Sequence, residues 1–485
     1  MNPLQQELRL GIASKQPELV HKVKQDFWRL IYHEMPPTGW LNDPNGVCQF
    51  SGVYHLFYQY SPIDPEGGLK YWGHKTSKDL VHFKEEEIAL FPDHPADVHG
   101  VYSGSAFIKQ EVIHFFYTGN VRYQGDYDYI TEGREQNILH FTSKDGYSFS
   151  EKKLLIGADH YPAGFTKHIR DPKVFEKDGF YYMILGTRTN DAEGQIIVYQ
   201  STNLADWSFR GIFLKSLPKM GYMWECPDYF EIGDQAILLM SPQGIEVDGL
   251  HYQNVYQSGY FFGRTNWEKV NFQPSSPFRE LDHGFDFYAP QTFEDEQGRR
   301  IMWGWMGLPD IEPTYSNPTI ERGWQHAMTM PRELTIKDGK LMQRPLSEFQ
   351  VLRDQLVTCK LEVGKRNRAN QLSGEVYEMV IDVLDLGEGL SIHLRQDTLI
   401  NYDAGQQILT LELGESGYGR NKRSVLVESL TQLHIFSDTS SLEIFINDGE
   451  YVMTTRLYPL EGQDKIEFSG EACLAIRKWN LSKKD

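Results

Sequence analysis

Five stretches of this 485-residue chain follow one plan. They are Asn42-Asp43-Pro44-Asn45-Gly46 leading to Tyr54-His55-Leu56-Phe57-Tyr58, Tyr102-Ser103-Gly104-Ser105-Ala106 leading to Ile113-His114-Phe115-Phe116-Tyr117, and Arg170-Asp171-Pro172 leading to Phe180-Tyr181-Tyr182-Met183-Ile184. Glu225-Cys226-Pro227-Asp228 leading to Ala236-Ile237-Leu238-Leu239-Met240 is the fourth, and Phe287-Tyr288-Ala289-Pro290 leading to Arg300-Ile301-Met302-Trp303-Gly304 is the fifth. In each, a short polar or proline-bearing segment opens a strand, a turn follows, and a strongly apolar second strand comes next. The apolar strands recur roughly every sixty residues, near the upper end of propeller repeats. The plan predicts an all-β chain with five blades around a central channel. Aligned on this plan, Asp43, Asp171 and Glu225 stand at the same point of three blades. Three carboxylates would then meet at one end of the axis, a site for a neutral, hydroxyl-rich substrate.

Composition narrows the partners. With 48 basic and 67 acidic residues the formal net charge is −19, which disfavours nucleic acid or an anionic membrane as a partner. An anionic substrate would need a local basic patch. The four cysteines, Cys48, Cys226, Cys359 and Cys473, form neither a metal pattern nor a dense disulfide framework, so free thiols are expected. No basic segment followed by an apolar run opens the chain, and no run of 18 apolar residues occurs; a cytoplasmic location is the expectation.

Around the repeats, residues 1–31 are expected to be helical, with Leu19, Val23 and Phe27 spaced on one face beside Val20. Residues 32–340 read as the propeller. Within it Ser77-Lys78-Asp79-Leu80, Ser143-Lys144-Asp145-Gly146 and Ser201-Thr202-Asn203-Leu204 recur after apolar strands and predict outer turns held by Ser and Asp side chains. Residues 341–355 read as a linker. Residues 356–485 show alternating strands and a hairpin signal at Asn447-Asp448-Gly449, which predicts a β-sandwich in an accessory role.

Glycoside hydrolysis uses two carboxyl groups, one as acid and one as nucleophile or base. Propeller inner strands can bring such a pair together from residues far apart in sequence. Proline after the acidic residue fixes a backbone dihedral and removes an N–H, keeping the strand opening free. An Asp-Pro pair alone is usually a turn; three such segments in register with a repeat point to a site.

Trp40-Leu41-Asn42-Asp43-Pro44-Asn45-Gly46, Arg170-Asp171-Pro172 and Glu225-Cys226-Pro227-Asp228 resemble the three signature motifs of glycoside hydrolase family 32, the β-fructofuranosidases. Tyr102-Ser103-Gly104-Ser105-Ala106, the segment Phe285 to Gln291, and Ser440 to Glu450 extend the resemblance over nearly the whole chain. It implies a five-bladed propeller followed by a β-sandwich. The sequence has no His-Glu-x-x-His, glycine-rich phosphate loop or Cys-x-x-Cys, so neither a metal nor an organic cofactor is expected. The resemblance also implies roles: Asp43 as nucleophile on the fructosyl anomeric carbon, Glu225 as acid/base, and Asp171 as the residue holding fructose hydroxyls. Arg170 would favour the charged carboxylates. Trp40, Leu41, Asn42, Gln59, Trp72, Tyr102 and Ser103 match positions that bind the ring or line its pocket, and Asp282 and Asp286 would face the leaving sugar. Many invertases of this family carry a further Trp shortly before Trp72-Gly73-His74, where this chain has Gly67-Gly68-Leu69-Lys70. That departure favours the bacterial branch acting on sucrose 6-phosphate and makes Lys70 a candidate phosphate contact. The rivals are a fructosyltransferase or exo-fructanase acting on sucrose and short fructans, and a non-catalytic sugar-binding protein.

Overall fold

The computed structural model of the chain describes residues 2–364 and 367–483. Five antiparallel sheets of four main strands follow one another from Gly39 to Pro345. Their innermost strands are Gly39–Phe50, Val101–Lys109, Phe165–Lys177, Met223–Ile232 and Tyr288–Glu294, and these neighbour one another in a closed ring. The chain closes the ring on itself, since Trp324–Gln325 pairs in parallel with Gly39 and Trp40 at the start of the first blade.

The apolar second strands explain why five blades pack. Alternate residues of one strand enter different inter-blade cores. Met183 and Leu185 pack with Phe116 and Ile138 of the second blade, whereas Tyr182 and Ile184 pack with Leu238 and Met240 of the fourth. Ile237 and Leu239 point the other way, to Phe287 and Met302 of the fifth. A strand covered on both faces reads as a continuous apolar run rather than an alternating one, which is the pattern in the sequence. The outer turns repeat in the same detail. Oδ1 of Asp79, Asp145 and Asn203 each accepts two backbone N–H groups further along its turn. The fourth residue of each turn has a positive φ: 62° at Leu80, 79° at Gly146 and 64° at Leu204.

The end of the innermost strand that faces the axis is where the blades differ from flat sheet. Every one of the five carries an irregularity of one extra residue against its neighbour. Asn42 and Asp43 stand opposite Gln59; Tyr102 and Ser103 opposite Thr118; Asp171 and Pro172 opposite Leu185; Cys226 and Pro227 opposite Met240; Ala289 and Pro290 opposite Gly304. Such bulges bend a strand and re-aim its side chains. The sheet register corrects the alignment of the motifs. Asp43 is the second residue of its bulge, Asp171 the first of its own, and Glu225 the residue just before. The carboxylates reach one place from three successive positions rather than from one.

The second unit is built on the 18-residue strand Tyr377–Leu394. Its first part pairs with Gln432–Asp438 and its last part with Thr398–Asp403, while Ile466–Leu481 runs beside both. A β-sandwich results, with one core that includes Met379, Ile392, Ile435 and Ile476. The segment read as a linker is mostly ordered structure, because Lys340–Pro345 is the outermost strand of the fifth blade and Ser347–Leu352 a short 3-10 turn. The N-terminal helix runs Pro3–Lys24, capped by the Asn2 side chain on the Gln5 N–H. It ends earlier than the spacing of Leu19, Val23 and Phe27 predicts; Phe27 lies beyond it, exposed, under the Arg322 guanidinium. Ile12 packs with Tyr71 and Phe91, and Val23 with Trp28 and Trp324. No helix among the described residues is long and apolar enough to cross a membrane.

Buried charges join the two units. Arg332 of the propeller donates to Asp282 and to Glu443 of the sandwich, and Arg420 of the sandwich grips Asp286 through Nε and Nη2, both at 2.8 Å. Removing one partner of a buried pair costs about 3–5 kcal/mol, because the other charge is left uncompensated. Asp286→Ala should therefore unfold at clearly lower urea than the parent. Asp286→Leu combined with Arg420→Met should recover much of the loss. A single variant that unfolds with the parent would show that this joint does not hold the units together.

Candidate active site

A cavity of about 290 Å³ opens at the axis above the five bulges. Asp43, Asp171 and Glu225 all line it, together with Trp40, Asn42, Gln59, Lys70, Tyr102, Ser103 and Arg170. Beneath it the blades are stitched to one another. The buried Lys173 ammonium bonds Asp228 at 3.1 Å and the Thr292 carbonyl at 2.6 Å, and Gln291 spans from the Val47 N–H to the Gly104 carbonyl.

One run of hydrogen bonds has only one possible sense. The Trp40 indole N–H can only donate, and it donates to Asn42 Oδ1 at 2.6 Å. That fixes the Asn42 amide, whose Nδ2 donates to Gln59 Oε1 at 2.7 Å and to Asp43 Oδ1 at 3.1 Å. Gln59 is fixed in turn, and its Nε2 donates to Ser103 Oγ at 2.8 Å. The Ser103 hydroxyl has only its proton left to give, and it gives it to Asp43 Oδ2. Asp43 thus receives donors on both oxygens. Burial raises its pKa, the Ser103 and Asn42 donors oppose the rise, and the Glu225 charge adds to it.

Glu225 is held by two oxygens in different ways. Arg170 donates to Oε1 from Nε at 3.0 Å and from Nη2 at 2.5 Å. Gln243 and the Tyr288 hydroxyl contact Oε2 at 2.8 and 2.6 Å. Asp171, at a positive φ of 63°, accepts the Cys226 N–H at 3.0 Å. The Cys226 thiol lies 3.7 Å from both Asp43 Oδ2 and Asp171 Oδ2, so those two oxygens are no farther apart than these legs laid end to end. Burial, with Asp171 and Asp43 beside it, pushes that thiol well up, and it stays a neutral donor between the carboxylates. Asp171 itself is raised to about 7: burial dominates, the Arg170 charge opposes, and Glu225 and Asp43 reinforce.

Four residues expected in the site lie elsewhere. Leu41 is fully buried in the core between the first and fifth blades, on the strand face opposite Asn42. Trp72 is fully buried between the first two blades, its indole spent on the Tyr102 carbonyl. Asp282 and Asp286 serve the joint between the two units rather than a leaving sugar, since each is enclosed by an arginine and by Thr454 or Arg456 backbone N–H groups. Lys70 does line the cavity, with Nζ 4.5 Å from the Trp40 ring. The reading of the sequence did not single out Arg134, Gln136, Gln243, Tyr288, Trp305 and Pro309, which complete the wall. Tyr288 sits in the bulge motif of the fifth blade and could have been found there; Gln243 ends a strand whose partner begins at Met223, a signal visible only through register. No group of three or more His, Cys, Asp or Glu able to hold a metal occurs among the described residues, and all four cysteines are free.

The chain and its fold are similar to known proteins. The profile of the Glycosyl hydrolases family 32 N-terminal domain matches residues 33–345, and that of the family's C-terminal domain matches 348–476. A sucrose-6-phosphate hydrolase of Bacillus subtilis (strain 168) is 40% identical over 98% of this chain and 99% of its own. One from Staphylococcus xylosus is 41% identical over 96% and 94%. The solved sucrose-6-phosphate hydrolase of Lactobacillus gasseri superposes with a TM-score of 0.87 at 32% identity, covering 97% of this chain and 96% of that one.

The raised Asp171 makes a stability prediction. Its folded pKa of about 7 lies above the unfolded value near 3.9, so the fold favours the protonated form. That contribution is full below the unfolded value and is lost as pH rises through the folded one. Asp171→Asn should match the parent near pH 4 and exceed it by about 1–4 kcal/mol at pH 8. Urea midpoints at the two pH values check this; a difference that does not widen with pH would contradict it.

Proposed function

We propose a retaining β-fructofuranosidase that hydrolyses sucrose 6-phosphate, from the premise that this chain belongs to glycoside hydrolase family 32, both of whose domain profiles it matches. The observation that carries the reading is a carboxylate with donors on both oxygens, Asp43, in the same cavity as a carboxyl group, Glu225, whose Oε2 meets the Tyr288 hydroxyl, a group that can turn from donor to acceptor. The substrate comes from the relatives in Bacillus subtilis and Staphylococcus xylosus, both named sucrose-6-phosphate hydrolases.

Arg170 occupies Oε1 of Glu225, so Oε2 is the oxygen that carries the acidic proton. A hydroxyl both donates and accepts, and Tyr288 can accept that proton's hydrogen bond until the substrate arrives. Glu225 then protonates the glycosidic oxygen while Asp43 attacks the fructosyl C2. The leaving sugar departs as an alcohol, and the fructosyl unit remains as an ester on Asp43. Ionised Glu225 takes a proton from water, water attacks C2, and Asp43 is released. Asp171, with one oxygen held by the Cys226 N–H, offers its other oxygen to fructose hydroxyls. The fixed sense of the Trp40–Asn42–Gln59–Ser103 run keeps donors on Asp43 throughout, so little reorganisation accompanies charge movement. A non-catalytic sugar-binding protein has no use for a nucleophile and an acid so placed.

Asp43→Ala and Glu225→Ala should both lose nearly all activity on sucrose and its 6-phosphate, whose leaving alkoxides need a proton. A fructoside with a good leaving group needs little protonation. On it Glu225→Ala should still form the fructosyl-enzyme, and azide, which needs no general base, should accelerate turnover. Asp43→Ala should do neither. Activity of Asp43→Ala on the activated substrate, with loss in Glu225→Ala, would exchange the two roles.

A further inference from the structure

The phosphate of such a substrate needs a cation that the catalytic machinery has not already claimed. Three cations line the cavity. Arg170 is committed to Glu225. Lys70 lies against the Trp40 ring, is brought down to about 7 by burial, and already has Asp43 and Asp64 in its field. Arg134 is different. Among the described residues no carboxylate lies within ion-pair distance of it, and its Nε is buried with no hydrogen-bond partner.

The remaining contact of Arg134 is with a group that cannot accept. Its Nη1 lies 3.3 Å from Nε2 of His168. Nδ1 of that ring is 2.7 Å from Arg170 Nη1. A guanidinium only donates, and the shorter of the two contacts marks Nδ1 as the accepting nitrogen. Burial, with Arg170, Arg134 and Arg188 around the ring, holds His168 neutral, with its pKa down at about 2. A neutral imidazole has one accepting nitrogen, so Nε2 carries the hydrogen. Arg134 therefore faces an N–H and bonds no acceptor among the described residues. Its neighbours add to the positive field. Arg122, over the Tyr129 ring, and Arg188, over the Tyr222 ring, make no ion pair among the described residues either. A chain of net charge −19 keeps here three guanidinium charges, Arg122, Arg134 and Arg188, that form no ion pair among the described residues.

The place matches the chemistry. From Glu225 the contacts run to Arg170, from Arg170 to His168, and from His168 to Arg134. Glu225 is the proposed proton donor, so the leaving sugar must lie on its side of the cavity. A guanidinium fork fits two oxygens of a phosphate, where an ammonium acts as a point charge. Resting on the function proposed above, we infer that Arg134 is the phosphate-recognising residue, binding the 6-phosphate of the leaving glucose. Lys70 is secondary.

The test compares kcat/KM for sucrose 6-phosphate with kcat/KM for sucrose in the wild type, Arg134→Gln, Arg134→Lys and Lys70→Met. The ratio of the two constants does not depend on how much of a preparation is folded. Arg134→Gln should lower the ratio about tenfold or more, mainly through KM for the phosphorylated substrate, as expected on losing a charge-assisted bond. Arg134→Lys should fall between, and Lys70→Met should change the ratio less than Arg134→Gln. Glucose 6-phosphate should inhibit sucrose hydrolysis by the wild type far better than glucose or inorganic phosphate, and this advantage should vanish in Arg134→Gln. If the wild type prefers sucrose 6-phosphate and Arg134→Gln or Arg134→Lys keeps that preference in full, the assignment of Arg134 is wrong while the substrate reading stands. A wild-type ratio near one overturns the substrate reading, and the assignment with it. Inorganic phosphate inhibiting as well as glucose 6-phosphate would make this a site for the free anion and overturn the ester as its ligand.

Discussion

One extra residue in the innermost strand of every blade is the constraint on which the site depends. A regular strand sends alternate side chains into the two neighbouring inter-blade cores, as the second strands do with Met183 and Tyr182 or with Leu239 and Leu238. It has no direction left for the axis. The bulges at Asn42–Asp43, Tyr102–Ser103, Asp171–Pro172, Cys226–Pro227 and Ala289–Pro290 break the alternation at one level of the ring, and from the first three Asn42, Asp43, Tyr102, Ser103 and Asp171 line the axial cavity. The positive φ values at Asp171, Cys226 and Ala289, each followed by proline, show three blades using the same backbone solution.

Bringing three carboxylates together under partial burial is unfavourable, and the structure offsets it locally. Arg170 supplies one positive charge, and the hydrogen-bond run from Trp40 supplies neutral donors without adding another. The compensation is incomplete at Asp171, whose pKa is raised first by burial and then by the like charges of Glu225 and Asp43. Sites that give up stability for function are expected to look this way. The rest of the fold carries the load through five apolar inter-blade cores and the buried arginine pairs of the propeller–sandwich joint.

Much of this was legible in the sequence because the signals are local and repeated. Five polar-then-apolar units define a propeller, since a strand buried on both faces must be apolar throughout. Prolines after Asp43 or Asp171 mark places where a strand opens. Register was not legible. Asp43, Asp171 and Glu225 align by motif yet take three successive positions in the ladder, because the alignment counts residues and the bulge absorbs one. The roles of Asp282 and Asp286 were also hidden, since their arginines, Arg332 and Arg420, lie 50 and 134 residues away. Leu41 and Trp72 share a motif with site residues but face the cores. Arg134 and Gln243 lie outside every motif, and only the cavity gathers them.

The central claim is that fructosyl transfer passes through an ester on Asp43, which turns the configuration at C2 over twice. Running the reaction on sucrose in aqueous methanol and identifying the first-formed methyl fructofuranoside by NMR tests this directly. The account predicts methyl β-D-fructofuranoside, with the configuration of the substrate retained. Methyl α-D-fructofuranoside as the first product would mean a single displacement by solvent and would contradict the nucleophilic role of Asp43.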